Sequence, residues 1–264
     1  MKKAGKLAFI FTIFIIASCS GVTVENPRED LYVTPGSKAQ TSFRVINRTN
    51  QSQQMTVYQT DYSFKSDGSN EFLSPGSHPR SNAEWLNFSP RQFTIKPGMK
   101  MNIDVSVNVP NKQLTGSYWS ILMVEYIDSG NNNPNADDIN DQTGLTVKRR
   151  QGIQIRTHFS GTGEMKARYF NQQIRSENGK LFFDVDMENI GTLYFSGNFW
   201  IEFFDSRGKS VSKVSLERKS IYPDCSVRFS ADVSHLKSGK YTALCVYDTL
   251  KNKVFGGKYQ IEIP

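Results

Sequence analysis

Polar and apolar residues alternate with a period of two through almost the whole chain beyond residue 22, which restricts it to strands that bury one face. Phe43 and Val45, then Ile103, Val105 and Val107, then Val227, Phe229 and Ala231 occupy every second position. Pro-Gly, Pro-Asp, Asp-Gly and Ser-Gly turns separate the runs, at about every ten residues. No stretch of this region shows a helical period. Many short strands without helices make an all-β chain, and the expected unit is an immunoglobulin-like β-sandwich.

The chain also repeats itself. When "IKPGMKMNIDVSVNVPNKQLTGSYWSILMVEY" is set over "IYPDCSVRFSADVSHLKSGKYTALCVYD", Ile95 falls on Ile221, Pro97 on Pro223 and Gly98 on Asp224. Ile103, Val105 and Val107 fall on Phe229, Ala231 and Val233. After a three-residue gap, Gly116 meets Gly239, Tyr118 meets Tyr241 and Leu122 meets Cys245. Upstream, "FRVINRTNQSQQMTVYQTDYSFKSDG" resembles "VDMENIGTLYFSGNFWIEFFDSRG", each a strand ending in Asn, a second strand and a Gly-closed turn. The 264 residues suffice for two such domains. The expected organisation is a signal peptide over 1–18, a first domain over 22–160 with a disordered hairpin at 128–144, and a second domain over 165–264.

The amino terminus gives the compartment. "MKKAGK" is basic and "LAFIFTIFIIAS" is apolar, the pattern of a secretory signal, and the run is shorter than the roughly 20 residues of a membrane span. Ile16-Ala17-Ser18-Cys19 resembles the bacterial lipobox, in which cleavage precedes a cysteine that then carries lipid. The alternative is ordinary cleavage after Ser20 or Gly21, with Cys19 discarded. Either way the chain is exported. Removing three lysines from the 32 basic residues leaves 29 against 25 acidic ones, near +4 instead of +7. That mild excess is well short of a nucleic-acid footprint.

Cys225 shares parity with Val227 and Phe229, and Cys245 with Tyr241 and Ala243, so both point inward. In an exported domain they are a candidate structural disulfide. The alternative is two buried thiols packed as small apolar groups.

The chain is poor in catalytic and metal motifs. His78, His158 and His235 lie at no metal-ligand spacing. No Gly-x-Ser-x-Gly elbow, phosphate loop or His-Glu-x-x-His occurs, so no catalysis and no cofactor are expected. Asp138, Asn140, Gln142 and Gly144 imitate the start of a calcium loop, but Arg149 stands where that loop needs a glutamate.

Surface expectations centre on two strands. In 117–127, Tyr118, Ser120, Leu122 and Val124 face the core, whereas Trp119, Ile121 and Met123 are apolar on the opposite face. Such a strand is covered by another element or offers an interaction surface. Phe199, Ile201 and Phe203 beside Trp200 and Phe204 pose the same choice. The stretch 145–161 carries Lys148, Arg149 and Arg150 ahead of Gly152, a candidate break or bulge, and then Ile153, Ile155 and Arg156. As the last strand of the first domain it is an expected sheet edge, able to accept a partner strand or protected from pairing by its charges.

"FSPRQFTIKPGMKMNIDVSVNVP" followed by "GSYWSILMVE" resembles the first domain of PapD-like periplasmic chaperones. It is also similar to the amino-terminal domain of WxL-interacting proteins of Gram-positive surfaces. Both families pair two immunoglobulin-like modules. The chaperone resemblance implies a basic pair in the interdomain cleft that binds the carboxyl terminus of a pilus subunit. It also implies a last strand that zips along that subunit. Lys148, Arg149, Arg150 or Arg156 would take the last-strand role and Arg28 the first-strand role. A lipid anchor departs from the habit of a shuttling chaperone.

The expected function is a non-enzymatic envelope protein that binds exported or surface polypeptides such as pilus-like subunits. The alternative is a lipid-anchored surface module for peptidoglycan, glycan or a host protein. The lipobox reading makes one prediction: Cys19→Ala abolishes acylation and releases the protein from membranes, and unchanged membrane attachment of that variant would remove the anchor.

Overall fold

The computed structural model describes residues 21–128 and 147–264. The expected signal segment, Cys19 and the loop beyond Asp128 lie outside them. Two sheets built from strands up to Phe159 enclose one core, and two sheets built from strands after Ala167 enclose another. This is the expected all-β pair of sandwiches.

In the first sandwich, β1 (Val22–Val24), β3 (Lys38–Asn47), β8 (Lys100–Asn108) and β6 (Leu86–Ser89) form one sheet in the order β1-β3-β8-β6. The facing sheet runs β2-β10-β9-β4-β5, from β2 (Arg28–Val33), β10 (Val147–Phe159), β9 (Gly116–Asp128), β4 (Gln53–Phe64) and β5 (Asn70–Leu73). A further strand, β7 (Gln92–Ile95), also pairs with β4. Alternate residues of the two sheets, among them Phe43, Val45, Ile103, Val105, Leu122, Val124, Ile153 and Ile155, fill the space between them. Strand pleating puts every second side chain there.

In the second sandwich, β11 (Ala167–Glu177), β12 (Lys180–Asn189) and β15 (Ser226–Asp232) face β14 (Ser210–Ile221), β13 (Phe195–Phe204), β16 (Gly239–Asp248) and β17 (Val254–Ile263). Phe199, Ile201 and Phe203 lie in its core. Trp200 points outward beneath the Lys213 ammonium, 5.0 Å from its ring.

The internal repeat is physical. Asn47 donates its side-chain amide to the carbonyls of Gln51 and Ile95, and its backbone carbonyl accepts from Gly98. Asn189 does the same with Leu193, Ile221 and Asp224. Gly98 and Asp224 both take positive φ, +72° and +61°, which explains why a Pro-Gly turn in one copy aligns with a Pro-Asp turn in the other, since Asp tolerates that region better than most residues. The Tyr241 hydroxyl donates to the Lys237 carbonyl, as in a tyrosine corner. Tyr118 instead packs its ring against Trp85 and Phe159.

The disulfide is a correction. Cys225 and Cys245 are free, buried thiols. Cys225 sits at the end of the sandwich where its carbonyl accepts from Asn189, level with the Phe195–Ile221 pair. Cys245 pairs with Ile201, further along the same strand. At about 3.3 Å per residue the two lie roughly 20 Å apart, far beyond the Cα separation a disulfide allows. Shared inward parity therefore did not mean shared height. Burial pushes the thiols up to about 11 and about 12, so neither is a thiolate at neutral pH.

At Gly116 and Gly163 the two sandwiches meet without room for a side chain. Ser117 N–H donates to the Thr192 carbonyl at 2.8 Å, and Tyr194 N–H donates to Ser117 Oγ at 2.9 Å. Gly116 has φ +78°, and a Cβ added there would lie 2.2 Å from the Thr192 carbonyl oxygen. At Gly163 a Cβ would lie 2.8 Å from the Gly116 Cα. A second clasp comes from the β4–β5 turn. Lys65 Nζ donates to the Asp224 carbonyl, and Ser66 donates through its N–H to Ser226 Oγ and through its hydroxyl to Asp186. Gly116→Ala is expected to cost about 2 kcal/mol or more, since the left-handed backbone alone costs a non-glycine about 1–2 kcal/mol. It should also broaden the distribution of interdomain distances in small-angle scattering; unchanged stability and scattering would show that this contact does not hold the joint.

Candidate functional site: the interdomain cleft and the β10 edge

β10 is covered along half its length. It pairs antiparallel with β9 from Val147 to Phe159, with no register shift at Gly152. The expected break there is absent; the glycine instead leaves room for Ile121, whose Cγ2 lies 3.0 Å from where a Cβ would stand. On the other side β2 pairs in parallel with Gln154–Phe159 only. From Val147 to Ile153 that side has no strand partner among the described residues, although the Gln151 side chain reaches out to Val22 and Val24.

The open half ends at a cleft between the sandwiches. Its volume is about 630 Å³ and its walls include Arg28, Asp30, Arg156, Tyr194, Arg218 and Lys251. Four cations thus face one carboxylate. Arg28 and Tyr222 both donate to Gln154 Oε1, at 3.2 and 2.9 Å. Arg218 donates to Ser196 Oγ. Arg156 is 2% exposed. Its Nη2 donates to Asp30 Oδ2 at 2.6 Å, and its guanidinium lies 4.3 Å from the Tyr194 ring centre. Its Nε and Nη1 are buried with no hydrogen-bond partner among the described residues. Buried guanidinium N–H groups normally find acceptors, so Arg156 keeps unused donor capacity in a positively charged cleft.

Asp30 serves two partners. Its Oδ1 accepts from His158 Nε2 at 2.7 Å, and His158 Nδ1 shares a hydrogen bond of 2.8 Å with the Ser117 hydroxyl. Burial acts to raise the Asp30 carboxyl, but the hydrogen bonds and charges of His158 and Arg156 prevail and hold it below its ordinary value. Ser, His and Asp in series are the parts of a nucleophilic relay. Here Ser117 is 1% exposed and its oxygen already accepts the Tyr194 N–H, so the hydroxyl is not presented to a substrate. Sequence reasoning missed this series because its members lie 41 and 128 positions apart. The available signal was parity: Asp30, Arg156 and His158 occupy the non-core positions of paired strands.

Trp119 apart, the other expected binding residues separate into three groups. Lys148 and Arg150 pair with Glu125 at 3.6 and 3.7 Å, and Arg149 stands between them opposite Tyr126. Arg149 and Arg156 are seven residues apart, roughly 23 Å along a strand, so the basic triplet lies far from the cleft while Arg156 and Arg28 line it. Ile153 and Ile155 are fully buried in the first core, and because the Gln154 N–H is the one that turns to the β2 side, their own backbone groups face β9. Ile121 and Met123 are buried under a groove of about 460 Å³, lined also by Tyr62, Phe72, Gly152 and Gln154.

Trp119 is covered by the neighbouring sandwich. Its ring is 4.8 Å from Tyr222 and 4.7 Å from His78, its Nε1–H donates to the Tyr62 carbonyl, and it joins the second core although β9 belongs to the first. His78 and His235 stay outside the cleft chemistry, and His235 hydrogen-bonds Ser212. Among the described residues no group of three His, Cys, Asp or Glu is placed to hold a metal.

No family model matches the chain, and no curated protein does. Solved structures do. The class 5 fimbriae chaperone CfaA is 17% identical, aligned over 92% of this chain and 100% of its own, with a TM-score of 0.47. The CsuC–CsuE chaperone–tip adhesion subunit pre-assembly complex, from archaic chaperone-usher Csu pili of Acinetobacter baumannii, gives 11% identity, 89% and 97% coverage and a TM-score of 0.48. The E. coli chaperone DraB gives 14%, 92%, 98% and 0.42.

Trp119 generates the prediction from this geometry. Trp119→Ala should lower stability by about 3–5 kcal/mol and split one thermal transition into two, read by calorimetry. A single transition at the unaltered temperature would show that the indole does not couple the sandwiches.

Proposed function

We propose that this protein is a non-enzymatic, exported envelope protein that holds other exported polypeptides during assembly, in the manner of a chaperone. The partner adds an extended segment to the open half of β10, and its carboxyl terminus enters the cleft at Arg156 and Arg28. The observation that carries this reading is Arg156 itself, buried with two nitrogens unpartnered, two residues beyond the start of the β2-covered half of the strand. Because β2 closes the edge from Gln154 onward, a segment whose carboxylate reaches the cleft must run parallel to β10. Backbone pairing supplies affinity without sequence demands, and the arginine fork supplies a directional terminus.

The groove beside Gly152, with Phe72 54% exposed at its rim, offers apolar contact to outward side chains of the same segment. The anchor expected at Cys19 would keep the complex at a membrane of the bacterial envelope.

The test uses a seven-residue peptide of alternating valine and threonine, with either a free carboxylate or an amide at its C-terminus. A charge-assisted hydrogen bond is worth about 1.5–3 kcal/mol, so the carboxylate form should bind about 10- to 100-fold more tightly, and Arg156→Ala should erase the difference. Equal binding of both forms to the unaltered protein would overturn the reading. Enrichment of cell-wall glycan instead of polypeptides from native membranes would favour the surface-module alternative.

A further inference from the structure

The cleft contains its own competitor for Arg156, and that competitor is wired to an imidazole. Asp30 takes the one guanidinium nitrogen of Arg156 that has a partner, and its second oxygen accepts from His158. A second carboxylate arriving at Arg156 would share the guanidinium with Asp30, two like charges in a partly buried site. We infer that His158 relieves this repulsion by taking up a proton, so that carboxylate binding in the cleft and protonation of His158 are coupled. The inference rests on the proposed binding mode and adds its regulation: the protein grips a carboxyl terminus more tightly in acid.

The geometry permits the step. With a neutral imidazole carrying its hydrogen on Nε2, His158 donates to Asp30 and its Nδ1 accepts from the Ser117 hydroxyl, at the observed 2.7 and 2.8 Å. A proton arriving from solvent goes to Nδ1, the Ser117 hydroxyl hydrogen rotates away, and Ser117 Oγ accepts from Nδ1–H. That oxygen has two acceptor sites and uses one for the Tyr194 N–H, so the interdomain bond survives. The product is an imidazolium paired with Asp30, leaving Arg156 to the incoming carboxylate. One proton is gained for one carboxylate bound.

The groups facing His158 set the sign. Asp30 and Tyr32 approach from β2, with the Tyr32 ring 5.4 Å away. Ser117 faces it from β9 and the Tyr194 ring from the second sandwich at 6.0 Å. Lys251 lines the same cavity of about 390 Å³, and Arg156 is two residues away on its own strand. The two cations oppose a further positive charge. Asp30 favours it, and the partner carboxylate adds a second negative charge only in the complex. Binding therefore promotes protonation, and by linkage protonation promotes binding.

The experiment titrates the carboxylate- and amide-ended peptides against the protein from pH 8 to pH 5.5. Affinity for the carboxylate peptide should rise about tenfold over that range, equivalent to 1.4 kcal/mol, while the amide peptide shows no rise. His158→Gln should flatten the profile. Asp30→Asn should bind at pH 8 as tightly as the unaltered protein does at pH 5.5. Calorimetry of the unaltered protein in buffers of different ionisation enthalpy counts protons directly, so a variant that fails to fold does not decide the matter. Net proton uptake on binding is expected. A preference for carboxylate over amide that stays constant with pH, with no proton uptake, would overturn the coupling and leave the binding mode standing. Indifference between the two peptides at every pH would overturn both.

Discussion

The contact between β9 and the second sandwich is the constraint on which the rest of the molecule depends. Gly116 and Gly163 bring backbones together at distances no side chain tolerates, and three residues past Gly116 the Trp119 ring leaves its own sandwich to join the neighbouring core. Burying an indole across the junction ties the two units together as a core would, not as a loose interdomain surface. With the β4–β5 clasp as a second point of attachment, the angle between the sandwiches is held from two sides. The cleft exists because that angle is held.

That junction also explains how an arginine can be buried at the cleft with so few partners. In water Arg156 would satisfy all its donors. Covered by Tyr194 and with one nitrogen on Asp30, it keeps two nitrogens unbonded. Unsatisfied buried donors are costly, which is why the proposed function assigns these two to an incoming carboxylate. The same rigidity leaves the first half of β10 as an edge without a strand partner among the described residues, while β2 and the β1 contact through Gln151 limit how far a visiting strand can extend. Lys148 and Arg150, paired with Glu125, put charge at the far end of that edge, where it discourages indiscriminate pairing.

Much of the fold was legible in the chain because period-two alternation and turn residues report local geometry. Ile103, Val105 and Val107 were expected inward and are, and the echo of Asn47 in Asn189 proved to be a repeated hydrogen-bonded brace. Parity says nothing about height along a sandwich, which is why two inward cysteines suggested a bridge that the register forbids. Nor does it say what lies across an outer face, so the cover over Trp119 remained an open alternative until Tyr222 and His78 were seen against it. Arg28 and Arg156 were singled out through a family resemblance. Asp30, Ser117 and the role of His158 were not, because they come from distant segments that meet only when both sandwiches are assembled.

The central claim is that the open half of β10 receives a strand whose carboxylate sits on Arg156. Hydrogen–deuterium exchange of the backbone amides from Val147 to Ile153, with and without the carboxylate-ended peptide, tests it most directly. Slowed exchange confined to this segment and to the cleft, abolished in Arg156→Ala, is the predicted result. Unchanged exchange there under saturating peptide, with protection appearing on another edge such as β14, would contradict it.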